Sequence, residues 1–152
     1  MTIGIDRGRA TLKRVKNRQD VNGCTEITGD EWCWMLKIKD TELTNATLTF
    51  TAKYLWDDSV PAITYTGDAS APSSTVSTGI TVLPTSNAGQ LDAYVVIPKD
   101  ITNGVDVGDS GKISLCFDVQ VNRTVHLNSP ETETYFLREN SRFNVIGDIT
   151  QP

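Results

Sequence analysis

Hydrophobic and polar residues alternate along this chain with a period of two, most clearly from Gly29 to Tyr54. Trp32, Trp34, Leu36 and Ile38 fall on one face of a strand, with Glu31, Cys33, Met35, Lys37 and Lys39 on the other. Ala46, Leu48, Phe50, Ala52 and Tyr54 then alternate with Thr47, Thr49, Thr51 and Lys53. The polar link from Asp40 to Asn45 is short enough to fold the two strands onto each other or to hand one to a facing sheet. Such a face needs a cover. Each buried Trp removes roughly 150–250 Å² from water, worth about 4–6 kcal/mol as an upper bound. The predicted core is Trp32, Trp34 and Phe50, joined by Phe117 from a later strand.

The rest of the chain carries the same period. Asn22-Gly23 signals a turn, and the stretch to Thr28-Gly29-Asp30 leads into the tryptophan strand. Trp56-Asp57-Asp58-Ser59 breaks the alternation before a weak strand at Ala62 to Tyr65, where Pro61 suits an edge. Thr66 to Gly79 lacks the apolar residues to build a core and predicts a long surface loop. Ile80 and Val82, a turn from Pro84 to Gly89 with Gly89 free to take positive φ, and Leu91, Ala93, Val95 and Ile97 form a hairpin. Lys99 to Gly111 is turn-rich, after which Ile113, Leu115, Phe117, Val119 and Val121 alternate with Ser114, Cys116, Asp118 and Gln120. Thr134 to Arg138 and Ser141 to Ile149 predict a final hairpin. About seven or eight strands at this spacing make an all-β sandwich, with helical period confined to a turn or two near Thr11 to Arg18.

Composition adds limits. At 152 residues the chain is long enough for one domain with a core that needs neither disulfides nor metal. No apolar run approaches the roughly 18 residues of a membrane span, and the first twenty residues lack an apolar signal core, so neither an anchor nor a signal peptide is expected. Cys24, Cys33 and Cys116 show no CxxC spacing and lie out of phase with a Cys-Trp-Cys bridge, which leaves them as free thiols. The glycosylation patterns at Asn45-Ala-Thr47 and Asn122-Arg-Thr124 have no secretory route behind them.

Charge divides the chain. Residues 1–20 hold six basic and two acidic side chains, a balance of +4, whereas the remainder holds 8 basic and 17 acidic ones, a balance of −9. The expected organisation is a basic N-terminal arm, 1–23, ahead of a sandwich spanning 24–152. Arg7, Arg9, Lys13, Arg14, Lys16 and Arg18 are candidates for docking on an acidic protein neighbour. A solvated segment or a charge-protected edge strand is the plainer alternative. Nucleic acid is not expected, since no aromatic residue interleaves the charges to stack on a base.

Catalytic constellations fail on spacing. The single histidine, His126, sits in a hairpin tip, and Gly108-Asp109-Ser110-Gly111 resembles the nucleophile loop of trypsin-like proteases but precedes that histidine in a chain too short for two barrels. Asp57 with Asp58, Glu131 with Glu133, and Asp106 with Asp109 lie in polar turns, where carboxylates are ordinarily solvated. No catalytic, cofactor-binding or metal site is expected. Trp56, Tyr65 and Tyr94 remain as candidate surface contacts, for a protein interface or a sugar.

One resemblance goes further. The serial order of Ile27-Thr28-Gly29-Asp30, Leu43 to Phe50, Gly79-Ile80-Thr81-Val82, Ala88-Gly89-Gln90-Leu91, Pro98 to Thr102, Gly111-Lys112 to Val121, and Phe143 to Thr150 resembles an immunoglobulin-like module of tailed bacteriophages. It is similar to the N-terminal module of baseplate upper proteins and to small stand-alone tail, neck and capsid accessory proteins, over roughly Ile27 to Thr150. The resemblance implies an immunoglobulin-like sandwich made in the host cytoplasm and carried in the virion. It would be a multi-copy adaptor on the portal, tail, neck or baseplate that anchors a receptor-binding fibre. A capsid decoration protein and a small carbohydrate-binding sandwich are the alternatives. The basic segment before Cys24 and the lack of coiled-coil heptads depart from the family pattern.

Overall fold

A computed structural model describes residues 2–3, 10–39, 46–84, 90–125, 129–135 and 141–147. Its elements are β1 (Thr2–Ile3), β2 (Ala10–Arg14), β3 (Thr25–Ile27), β4 (Trp32–Ile38), β5 (Thr47–Lys53), β6 (Ile63–Asp68), β7 (Gly79–Val82), β8 (Leu91–Ile97), α1 (Lys99–Thr102), β9 (Lys112–Val125), β10 (Ser129–Tyr135) and β11 (Arg142–Ile146). They form an all-β fold of two sheets, one curled into a half-barrel. The smaller sheet has the order β2-β4-β8-β7, antiparallel throughout. The larger is organised on β9, a strand of 14 residues. One edge of β9 pairs with β5, which pairs in turn with β6; the other edge is shared by β11 and β10. Two short strands, β3 on β11 and β1 on β10, add parallel margins.

Period-two alternation decides the layers. The tryptophan strand and the strand after it go to different sheets, so the inward faces of β4 and β5 confront each other. Trp34 meets Phe50 edge-on at 5.5 Å and Phe143 at 5.2 Å; Trp32 meets Phe143 at 5.7 Å and stacks on Trp34 at 6.1 Å; Phe117 meets Phe50 at 6.2 Å and Phe143 at 5.8 Å. These five rings are fully buried, and edge-on aromatic pairs add roughly 0.5–1.5 kcal/mol each beyond area burial. All four predicted core aromatics are present, and Phe143 joins three of them. The indole nitrogens are also satisfied across the sandwich: Trp32 Nε1 donates to Ile27 O at 2.9 Å and Trp34 Nε1 to Glu26 Oε2 at 2.6 Å.

Five expectations need correction. The sandwich begins at or before Ala10 rather than at Cys24, because β2 is laddered to β4 with Ala10, Leu12 and Arg14 turned inward. The same strand replaces the helical turn expected near Thr11 to Arg18. Its two long cations obscure the alternation of Ala-Thr-Leu-Lys-Arg. No β10–β11 pair occurs among the described residues: both lie against one edge of β9, which is long enough to hold them in series. Finally, β6 continues to Asp68, which shortens the expected loop from Thr66, and α1 interrupts the turn-rich stretch after Pro98. The expected Pro84 to Gly89 turn lies outside the described residues from residue 85, and Asp40 to Asn45 lies outside them entirely.

On one side the two sheets meet at β6 and β7. A Cβ on Gly67 would lie 2.5 Å from Ile80 Cγ2 and 2.8 Å from Ile80 Cβ, closer than packed atoms tolerate. Gly67→Ala is expected to cost about 1–3 kcal/mol through this overlap. Urea unfolding checks it, and a loss below a few tenths of a kcal/mol would show that this seam has slack.

Candidate functional site

The described residues present two surface features that bear on function, a basic turn and an apolar hairpin tip, and hold three thiols at or beneath the surface. The turn follows β2. Arg14 N donates to Gln19 O at 2.8 Å and Val21 N to Leu12 O at 2.9 Å, so the chain doubles back along β2 and shields its edge. Arg18 sits in the left-handed region with φ of 59°, the one such non-glycine among the described residues. Lys13, Lys16 and Arg18 are exposed here. Arg7 and Arg9 lie outside the described residues.

Arg14, also a docking candidate, points the other way. Its Nη2 donates to Glu26 Oε1 at 3.0 Å, its Nη1 to Gln19 Oε1 at 3.3 Å, and its Nε is buried without a partner. The Arg14 and Glu26 side chains are 10 and 6 % exposed, so this ion pair belongs to the interior. It joins β2 of one sheet to β3 of the other, and with the Trp34 indole on the second Glu26 oxygen it closes the side opposite the β6–β7 seam. Arg14 is therefore a structural cation. The residue sequence reasoning missed is Glu26, for which a lone carboxylate between Thr25 and Ile27 gives no signal.

The hairpin tip joins β5 to β6. Leu55, Trp56 and Val60 are exposed there by 61, 51 and 74 %. Asp58 holds the turn: its N donates to Leu55 O at 3.0 Å, its Oδ2 accepts from Leu55 N at 3.0 Å, and its O accepts from Lys53 Nζ at 2.7 Å. Tyr54 Oη accepts from Asp106 N at 2.9 Å, which ties the tip to the loop after α1. That loop is anchored by the buried Thr102, whose hydroxyl accepts from Gly29 N and donates to Asp30 O. Trp56 was legible as a surface aromatic, but its neighbours Leu55 and Val60 were not singled out. Apolar residues flanking Asp-Asp in a turn were the available signal.

The three candidate contact aromatics do not converge. Trp56 lies on the tip; half-buried Tyr65 packs beside Gly79 at the β6–β7 seam; Tyr94 lies on the outer face of the smaller sheet, in a row with Lys13, Met35 and Thr81. Burial and then the Asp100 carboxylate hold the Tyr65 phenol above its ordinary value. Ser110 lies in a closed turn, where Gly111 N donates to Gly108 O and Ser110 Oγ donates to Lys112 O. Asp106 Oδ1 accepts from Gly108 N. His126 lies outside the described residues. No group of three His, Cys, Asp or Glu suited to a metal occurs among the described residues, and none of their helices is long and apolar enough to cross a membrane.

Cys24 and Cys116 are buried and Cys33 is half-buried; all three are free thiols. Burial and then the nearby Glu26 carboxylate push the Cys24 thiol from 9.0 up to about 12. Burial and Glu31 also raise Cys33, while Cys116 Sγ donates to Lys53 O at 3.3 Å. Alkylation near neutral pH is expected to label Cys33 first and the other two only on unfolding, a pattern read by mass spectrometry. Between pH 9.0 and about 12 the unfolded chain has released the Cys24 proton and the folded chain retains it, so stability falls as pH rises. Cys24→Ala should flatten that decline. No protein-family model matches the chain, and no curated protein matches its sequence.

Proposed function

We propose that this chain is a non-enzymatic structural component of a tailed-phage virion: an immunoglobulin-like sandwich, present in many copies, that works as an adaptor between tail, neck or baseplate proteins and a receptor-binding fibre. The observation that carries the reading is the serial order of turn and strand segments from Ile27 to Thr150 described above, which resembles that family. Two physical features support it. The five-ring core makes a stiff block, and the exposed features of that block, the Lys13–Arg18 turn and the Leu55–Val60 tip, suit contact with other proteins more than chemistry on a small substrate. Docking cations in this reading are Lys13, Lys16 and Arg18, with Arg7 and Arg9, whereas Arg14 serves the interior.

The test is direct. Purified particles analysed by quantitative mass spectrometry and immuno-gold electron microscopy should contain the chain in multiple copies at a fixed place on the head or tail. Particles that lack it would overturn the assignment. Truncation is a poor probe of the basic segment, since removing residues 1–20 also removes β2 and its buried Leu12. Lys13→Glu combined with Lys16→Glu changes the charge and leaves the ladder; loss of incorporation with unchanged thermal stability is the expected result.

A further inference from the structure

The chain has two Asn-Gly dipeptides, Asn22-Gly23 and Asn103-Gly104, and each follows a β-branched residue, Val21 or Thr102. Both asparagines are exposed, and both pairs sit in turns between buried residues: Cys24 N donates to Val21 O at 3.0 Å, and Val105 N to Thr102 O at 3.2 Å. Their other hydrogen bonds set them apart. We propose that the fold leaves Asn103 as a site of spontaneous deamidation through a succinimide and protects Asn22 from the same reaction.

The reaction joins the nitrogen of the following residue to the asparagine side-chain carbon. Gly104 N gives its proton to hydroxide and bonds to Asn103 Cγ, and the Cγ–Nδ2 bond breaks to release ammonia; water then opens the ring to aspartate or isoaspartate. Glycine hinders this attack least, because no Cβ stands beside its nitrogen. At Asn22 both reacting groups are held on another strand: Gly23 N donates to Arg142 O at 2.6 Å, and Asn22 Oδ1 accepts from Arg142 N at 3.0 Å. Freeing them means detaching this turn from β11. At Asn103 the bonds are local. Gly104 N donates to Ile101 O at 3.1 Å at the end of a four-residue helix whose N-cap makes no side-chain bond. No hydrogen bond fixes the Asn103 carboxamide among the described residues. With φ of −67° and ψ of −21° Asn103 is helical, so this one exposed turn has to open before Gly104 N faces Cγ, and a single turn opens at little cost. The product adds a carboxylate to a loop that already holds Asp100, Asp106 and Asp109. Isoaspartate also lengthens the backbone between the buried Thr102 and Val105, and so disturbs the Thr102 bonds to Gly29 and Asp30.

Ageing the purified full chain in mildly alkaline buffer, with its tryptic peptides followed by mass spectrometry, tests this. Lys99 and Lys112 bound a peptide whose one asparagine is Asn103, and Arg18 and Lys37 bound one whose one asparagine is Asn22. In the folded chain Asn103 should convert about tenfold or more faster than Asn22, given the additional hydrogen bonds that Asn22 has to break. In urea the two rates should come within about threefold, since both sites follow a β-branched residue. Gly104→Ala should slow Asn103 severalfold and leave Asn22 unchanged; its Cβ would lie 3.4 Å from Ile101 O, an ordinary contact. An Asn103 that stays intact in the folded chain while the urea-treated chain converts overturns the proposal, as does an Asn22 that converts equally fast. Conversion indifferent to Gly104→Ala, or a product of aspartate without isoaspartate, overturns the succinimide route. A preference for Asn103 that persists undiminished in urea overturns the assignment to the fold, because the neighbouring residues alone would then set it.

Discussion

Replacing Phe143 with alanine is expected to destabilise the protein by about 3–5 kcal/mol. That is a large part of the roughly 5–15 kcal/mol by which domains of this size are stable. Phe143 is fully buried on β11 and lies within 5.2–5.8 Å, centroid to centroid, of Trp32, Trp34 and Phe117. Removing its ring leaves a void among the remaining rings of two sheets, and neither sheet can move in to fill it without breaking its own ladder. Phe143→Leu keeps most of the volume and should cost clearly less. Urea unfolding at constant slope measures both. A Phe143→Ala loss under about 1 kcal/mol, the size of an average substitution, would show that the two sheets are not closed on these rings.

The second large effect is expected at Arg14. Arg14→Met leaves the Glu26 carboxylate in the interior with the Trp34 indole as a hydrogen-bond donor but without its cation, at a cost of about 3–5 kcal/mol. Adding Glu26→Gln should recover most of that loss, since the amide oxygen still accepts from Trp34 Nε1 and no isolated charge remains. The pair of measurements separates two views of this residue. If Arg14 belonged to a solvated basic arm, its loss would cost no more than the roughly 0–1 kcal/mol of a surface ion pair, and Glu26→Gln would have nothing to repair.

These two residues also mark where sequence patterning stopped. Trp32, Trp34, Phe50 and Phe117 were legible as core because each sits on an unbroken run of alternation, and burial of large rings is the largest favourable energy available to such a strand. Phe143 was legible only as part of a strand. Its central place comes from β11 pairing with β9 rather than with β10, a choice made by the length and exposed edge of β9. Arg14 reads as one more cation in a basic head, because composition counts charges without saying which way they point. Its direction follows from β2 pairing with β4 in a register that sets Arg14 opposite Trp34. The tip was half legible: Trp56 announced itself, whereas the fixed turn that displays Leu55 and Val60 beside it depends on Asp58 and on Tyr54 reaching Asp106 across the fold.

By itself, the sequence determined the all-β class, the inward faces of the strands and four of the five core rings. Alternation with a period of two is a local property that backbone geometry turns directly into sidedness. Only the tertiary structure decided which strands are neighbours, that the basic segment enters a sheet, and that one of its cations closes the sandwich against Glu26. Those outcomes depend on contacts between residues far apart in the chain, where pairing edges and buried charge compete and no local pattern records which of them prevails.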